Sequence, residues 1–193
     1  MMLVLAVVIY SEPSVKYSGN DFTYSDSQTI KNILYLKNIS MSSPTKISDY
    51  TVKQYCMYFD DQNKQQVMDE CITTSITDSN GNSLGNINIG GRSEKPLMAV
   101  AIVESSPLLD SQKNNVVTVF EAMISALVCD CWEEKQPGGF VSVNQWIQAA
   151  ENYHETSGRD STKSKISGFE GKEVILEISK TGDSYLWTLI IIK

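Results

Sequence analysis

Four cysteines and a single histidine carry most of the chemistry that this chain of 193 residues could perform. Cys56 and Cys71 stand on either side of a polar reversal, Asp60-Asp61-Gln62-Asn63-Lys64-Gln65-Gln66, and are equidistant from a midpoint between Asn63 and Lys64. If that reversal turns a symmetric hairpin, the two cysteines face each other. Opposed residues in a non-hydrogen-bonded pair have Cα atoms about 4.5 Å apart, which a disulfide can span. A bridge closing a loop of this size adds about 3 kcal/mol and requires an oxidising compartment. A Cys56–Cys71 disulfide is therefore expected. Cys129-Asp130-Cys131 falls in a helical pattern, where side chains two residues apart point about 200° from each other. On a helix this pair can neither bridge nor share a metal, so Cys129 and Cys131 are expected as free thiols, with Cys131 continuing the buried stripe. The C-x-C spacing also departs from that of zinc sites.

His154 would have to serve any Ser-His-acid or Cys-His site. The Gly-x-Ser-x-Gly elbow that supplies an activated serine is missing from the sequence, and position 158 is glycine where a zinc-protease pattern needs a second histidine. The histidine reads as a side chain packed at a helix end. Asp78, Asn80 and Asn82 have the one-three-five spacing of a calcium loop, but Ser83 stands where that loop needs glycine and Ile89 where it needs glutamate. A turn with incidental oxygen ligands is the simpler reading, and calcium stays open as its alternative. The stretch from Gly85 to Arg92 has the outer glycine spacing of a phosphate loop without its Lys and Ser/Thr. Glu133-Glu134 and Asp60-Asp61 read as solvated faces. No catalytic residue, metal or cofactor is assigned from these patterns.

The elements that would position these groups follow from patterning. Residues 30–40, 50–59 and 67–77 are expected as strands, and Asp78-Ser79-Asn80-Gly81-Asn82 as a tight hairpin turn. Pro96 to Val103 is apolar on both alternating faces, as in a central strand. Val116, Val119, Phe120, Met123, Ile124, Leu127, Val128 and Cys131 recur at helical spacing and predict a helix over 115–134. Ser142 with Gln145 three residues on opens a second helix, which Ser157-Gly158 ends. Residues 173–179 and 185–192 make a final hairpin. Strands and helices in blocks predict a single α+β domain, an antiparallel sheet sandwiched by helices (α-β-α), over residues 13–193. Residues 1–12 contain an apolar run too short to span a bilayer, read either as a first strand or as the remnant of an export signal or anchor.

A net charge of −7 with only two arginines, Arg92 and Arg159, gives no basic face for nucleic acid. Contact with a membrane would come through the N-terminus if at all.

Two stretches bear a family likeness. Tyr17-Ser18-Gly19-Asn20-Asp21-Phe22-Thr23-Tyr24-Ser25-Asp26-Ser27 resembles the opening strand pair of the PsbP/Mog1-like fold family, without its usual proline and tryptophan. The helix over 142–156, the run Lys165-Ile166-Ser167-Gly168-Phe169-Glu170-Gly171-Lys172-Glu173-Val174 and the hairpin bearing Trp187 resemble that family's C-terminal part. The resemblance covers about a third of the chain and implies an α-β-α sandwich in mostly non-catalytic, often exported accessory proteins. It transfers no functional residue. The expected function is a non-enzymatic, extracytoplasmic or secreted module that binds another protein. The alternatives are a hydrolase using His154 or a carboxylate pair, and a cytosolic thiol protein.

Overall fold

The structure, a computed structural model, describes residues 21–48, 52, 68–106 and 110–193. Eight antiparallel strands form one sheet: β1 (Ser40–Met41), β2 (Thr45–Ser48), β3 (Glu70–Thr77), β4 (Ser83–Arg92), β5 (Lys95–Ser105), β6 (Ser161–Phe169), β7 (Lys172–Thr181) and β8 (Ser184–Ile192). Their order is β1-β3-β4-β5-β8-β7-β6, with β2 pairing β3 beside β1. Two meanders, β3-β4-β5 and β6-β7-β8, are thus joined along β5 and β8. Apolar alternation sets which side each strand presents to the core. Ile72, Ile89, Ala99, Ile191, Val174 and Ile166 fall in one row across the sheet, and all are buried.

Helices α1 (Asp26–Leu36), α2 (Asp110–Leu127), α3 (Trp132–Lys135) and α4 (Val143–Ser157) lie between and beside the meanders in sequence. They share one core with that row, to which they contribute Leu34, Phe120, Met123, Trp132, Trp146 and Ile147. The three indole N–H groups all find acceptors: Phe140 O for Trp132 (3.0 Å), Ser164 Oγ for Trp146 (2.7 Å) and Ser105 Oγ for Trp187 (2.8 Å). A buried indole left unpaired would destabilise the fold, so these bonds fix each ring's orientation. Lys113 and Glu151 join α2 to α4 at 2.8 Å.

The opposite face of the sheet has two characters. Cys71, Met98 and Val100 form a second buried cluster there with Met68 and Val52. Over β6 and β7 the same face is charged, and its charges are paired: Lys163 with Glu177 at 3.1 Å and Lys165 with Glu173 at 2.6 Å.

The structure departs from the expected elements at two places that matter. Residues 30–40 were expected as a strand, and most of them belong to α1. Ile30, Ile33 and Leu34 sit at helical spacing, and Thr23 donates its backbone N–H (2.6 Å) and its hydroxyl (3.0 Å) to Asp26 Oδ2 ahead of the first turn. Asn38, at φ 60°, stops the helix and lets Ile39 N–H reach back to Leu34 O. The helix expected over 115–134 ends at Leu127, where Cys129 N–H bonds Ile124 O at 3.1 Å. The strand expected over 50–59 lies outside the described residues except for Val52, which is helical and buried. The 78–82 turn, the central β5, the Ser142 cap (Gln145 N–H to Ser142 Oγ, 3.1 Å) and the closing Gly158 (φ 63°) all stand as the pattern predicts.

Candidate functional site

The end of α2, the short α3 and the start of α4 meet α1 around an open groove of about 550 Å³. Its apolar lining comes from Ile33 of α1, Ala122 and Ile124 of α2, Trp132 of α3 and Val143 of α4. Trp132 fixes this floor. Its ring lies 5.7 Å from Trp146 and edge-on to Phe169 at 5.4 Å, so α3 is held to both α4 and the β6–β7 corner. One wall is a disulfide between Cys129 and Cys131, whose Cα atoms are 5.2 Å apart.

That disulfide corrects the expectation of two free thiols. The 200° divergence holds only on a helix, and both cysteines lie after α2 has ended. A bond between residues two apart is possible only once the helix unwinds, so the early end of α2 and the bridge are one feature. The missed signal was the C-x-C itself, directly ahead of a tryptophan: two cysteines at that spacing mark a helix end when they are oxidised. Cys71 lies buried in β3. Cys56 is outside the described residues, but the symmetric hairpin expected to set it opposite Cys71 is corrected: Ile47 of β2 and Gly90 of β4 already flank Cys71 in the ladder, so both edges of β3 are taken there.

Charge around the groove is one-sided. Glu121, Asp130, Glu133 and Glu134 line it against a single base, Lys37. Among the described residues none of these four carboxylates forms an ion pair, and Asp130 receives only a long hydrogen bond from Ser125 Oγ, 3.4 Å. Partial desolvation beside the groove wall raises the Glu121 carboxyl above its ordinary range; Lys37 pulls it back and Glu133 adds a smaller upward push. Sequence patterning read Glu133-Glu134 as a solvated face and passed over Glu121 and Lys37, because their meeting depends on how α1 crosses α2.

The other residues singled out from the sequence lie elsewhere. His154 is buried in α4, with Nδ1 3.1 Å from Thr162 Oγ1 and its ring edge-on to Tyr185 at 5.3 Å. Among the described residues that hydroxyl is its ring's one hydrogen-bond partner, and no carboxylate hydrogen-bonds the ring. At the 78–82 turn, Asp78 Oδ1 accepts from the backbone N–H groups of Asn80 (2.9 Å) and Asn82 (2.8 Å), and Oδ2 from Asn82 Nδ2 (2.9 Å). The side-chain bond from Asn82, then its backbone bond, hold the Asp78 carboxyl below the usual range. Its oxygens are committed to the turn. Among the described residues no three His, Cys, Asp or Glu side chains converge to hold a metal, and no helix is long and apolar enough to cross a membrane. No family model matches the chain, and no curated protein or solved structure is significantly similar to it.

Proposed function

We propose that this chain is a non-enzymatic, extracytoplasmic module that binds another protein through the groove beside α2. The observation that carries this reading is the groove itself, an apolar floor rimmed by unpaired carboxylates with a disulfide in its wall. A disulfide persists in oxidising compartments, which supports export, and any attachment to a membrane would run through the N-terminal residues. A Cys56–Cys71 bridge belongs to the same reading. So does a helix layer on both faces of the sheet: Val52, helical and fully buried, packs with Met98 and Val100 on the face away from α1–α4. Kinship with the PsbP/Mog1-like accessory proteins is part of this proposal too.

The test is made in the native host. A photo-crosslinking residue replaces Ser125 in the groove, and in a second variant replaces Ser167 on the exposed face of β6. The expected result is one discrete adduct from position 125 and none from 167, on protein whose intact mass rises only after reduction and alkylation. Thiols that alkylate without prior reduction would overturn the compartment. Turnover of ester or amide substrates that is lost in His154→Ala would overturn the non-enzymatic reading.

A further inference from the structure

We infer that the groove receives a cationic, apolar-anchored segment of a partner protein, a stretch whose Lys or Arg side chains lay their aliphatic stems on the floor and set their charges against the rim. This rests on the reading above that the chain binds protein through this groove, and it names the chemistry of what is bound. Three observations point the same way. Glu121, Asp130, Glu133 and Glu134 stand around an apolar floor and, among the described residues, have no cation of this chain in ion-pair range. On the outer face of β6–β7, by contrast, Glu173 and Glu177 are each ion-paired with a lysine. Moreover, two of the four large apolar side chains left in water among the described residues adjoin lining residues in the chain: Leu36 (79% exposed) directly precedes Lys37, and Val141 (52%) directly precedes Ser142. Long basic side chains cover apolar surface with their stems while keeping the charged head at a polar edge.

Other occupants fit less well. Residues 1–20 carry one acid and one base, Glu12 and Lys16, and residues 49–67 carry three aspartates and two lysines, so neither segment of this chain brings net positive charge. A second copy brings −7 against −7. A basic partner gains both the desolvated floor and the rim's field, which also speeds encounter.

The experiment uses the full chain and two labelled synthetic peptides with the same Leu/Ala stripe, one with lysines on its polar face and one with glutamates, followed by fluorescence anisotropy. The lysine peptide should bind at least about tenfold more tightly than the glutamate peptide and weaken as salt rises. Glu133→Lys with Glu134→Lys should weaken it about tenfold, whereas Glu155→Lys with Glu173→Lys, the same change in net charge away from the groove, should stay within about twofold. Ser125→Trp, which fills the groove, should abolish binding while leaving the far-ultraviolet circular dichroism unchanged. Equal binding of the two peptides, binding of neither, or equal losses in the two charge-reversal variants would overturn the inference. A crosslink from position 125 to residues 1–20 or 49–67 would also overturn it, by assigning the groove to this chain. Failure of the peptide preference alongside a partner adduct at position 125 would sink only the cationic chemistry and leave protein binding standing.

Discussion

The outer face of β6–β7 and the groove beside α2 are both rich in charge, yet they are built on opposite plans. On the strands every second residue faces out, and cross-strand register sets Lys165 opposite Ile175 and Glu173 opposite Ile192. Lys165 reaches diagonally to Glu173, and Lys163 pairs with Glu177 directly across the ladder. In the groove the acids come from three different elements, α2, the following loop and α3, and no register supplies them with bases. A surface that satisfies its own charges has little to offer a partner. One that leaves them unpaired beside apolar side chains does.

Substitutions can break or sharpen that contrast. The largest effect is expected from Trp132→Ala, which empties the groove floor and removes ring contacts with Trp146 and Phe169. It should cost about 3–5 kcal/mol in urea unfolding. A cost below that of Ile175→Ala, a half-buried residue on the strand face, would mean that the floor is not a packed anchor. Next, Cys129→Ser with Cys131→Ser should cost only about 1–2 kcal/mol, because a ring closed over so few residues removes little freedom from the unfolded chain. The groove should keep its shape in this variant, as read by hydrogen exchange along α2. Loss of protection there would make the disulfide a structural clamp.

On the strand face, a double-mutant cycle of Lys165→Ala and Glu173→Ala should give a coupling of about 0.2–1 kcal/mol that fades in high salt, since both partners are about half exposed to water. The smallest effect concerns Glu121. Its folded pKa is raised, so the folded chain holds a proton that the unfolded chain releases first. Stability from this group therefore falls as pH rises from the unfolded carboxyl pKa through the raised folded value, then levels. Glu121→Gln removes that loss. Its melting temperature relative to the parent should be higher at pH 7 than at pH 4, and the reverse ordering would place the carboxyl in a favourable field, against the account of an acid-rimmed groove.

How much of this the sequence disclosed depended on whether a feature was local. The Asn80-Gly81 turn, the Ser142 cap and the two-faced apolar β5 are decided within a few residues, and reading them needed no knowledge of the fold. The start of α1 was also local, in the Thr23–Asp26 contact and the Ile30/Leu34 spacing. It was overlooked because Tyr35, Leu36 and Ile39 lend the same stretch a strand-like composition. The groove was not local. Lys37 and Glu121 meet because α1 crosses α2, and the end of α2 at Leu127 was hidden by an apolar pattern that runs on through Val128 and Cys131. The C-x-C pair was visible from the outset, but its meaning turned on whether the helix continued.

The seam between the two meanders has a consequence for synthesis. β5 is hydrogen-bonded to β8 from Met98–Ile192 to Ser105–Tyr185, so one side of β5 waits for some eighty residues of chain before its neighbour exists. Until then Met98, Ala99, Val100, Ala101, Ile102 and Val103 form an open, apolar edge on a nascent half-sheet of β1 to β5, a template for pairing with any other unfinished chain. A cell that makes this protein quickly must shield that edge while the ribosome completes the rest, and truncation anywhere before β8 should yield aggregates instead of a smaller soluble fold.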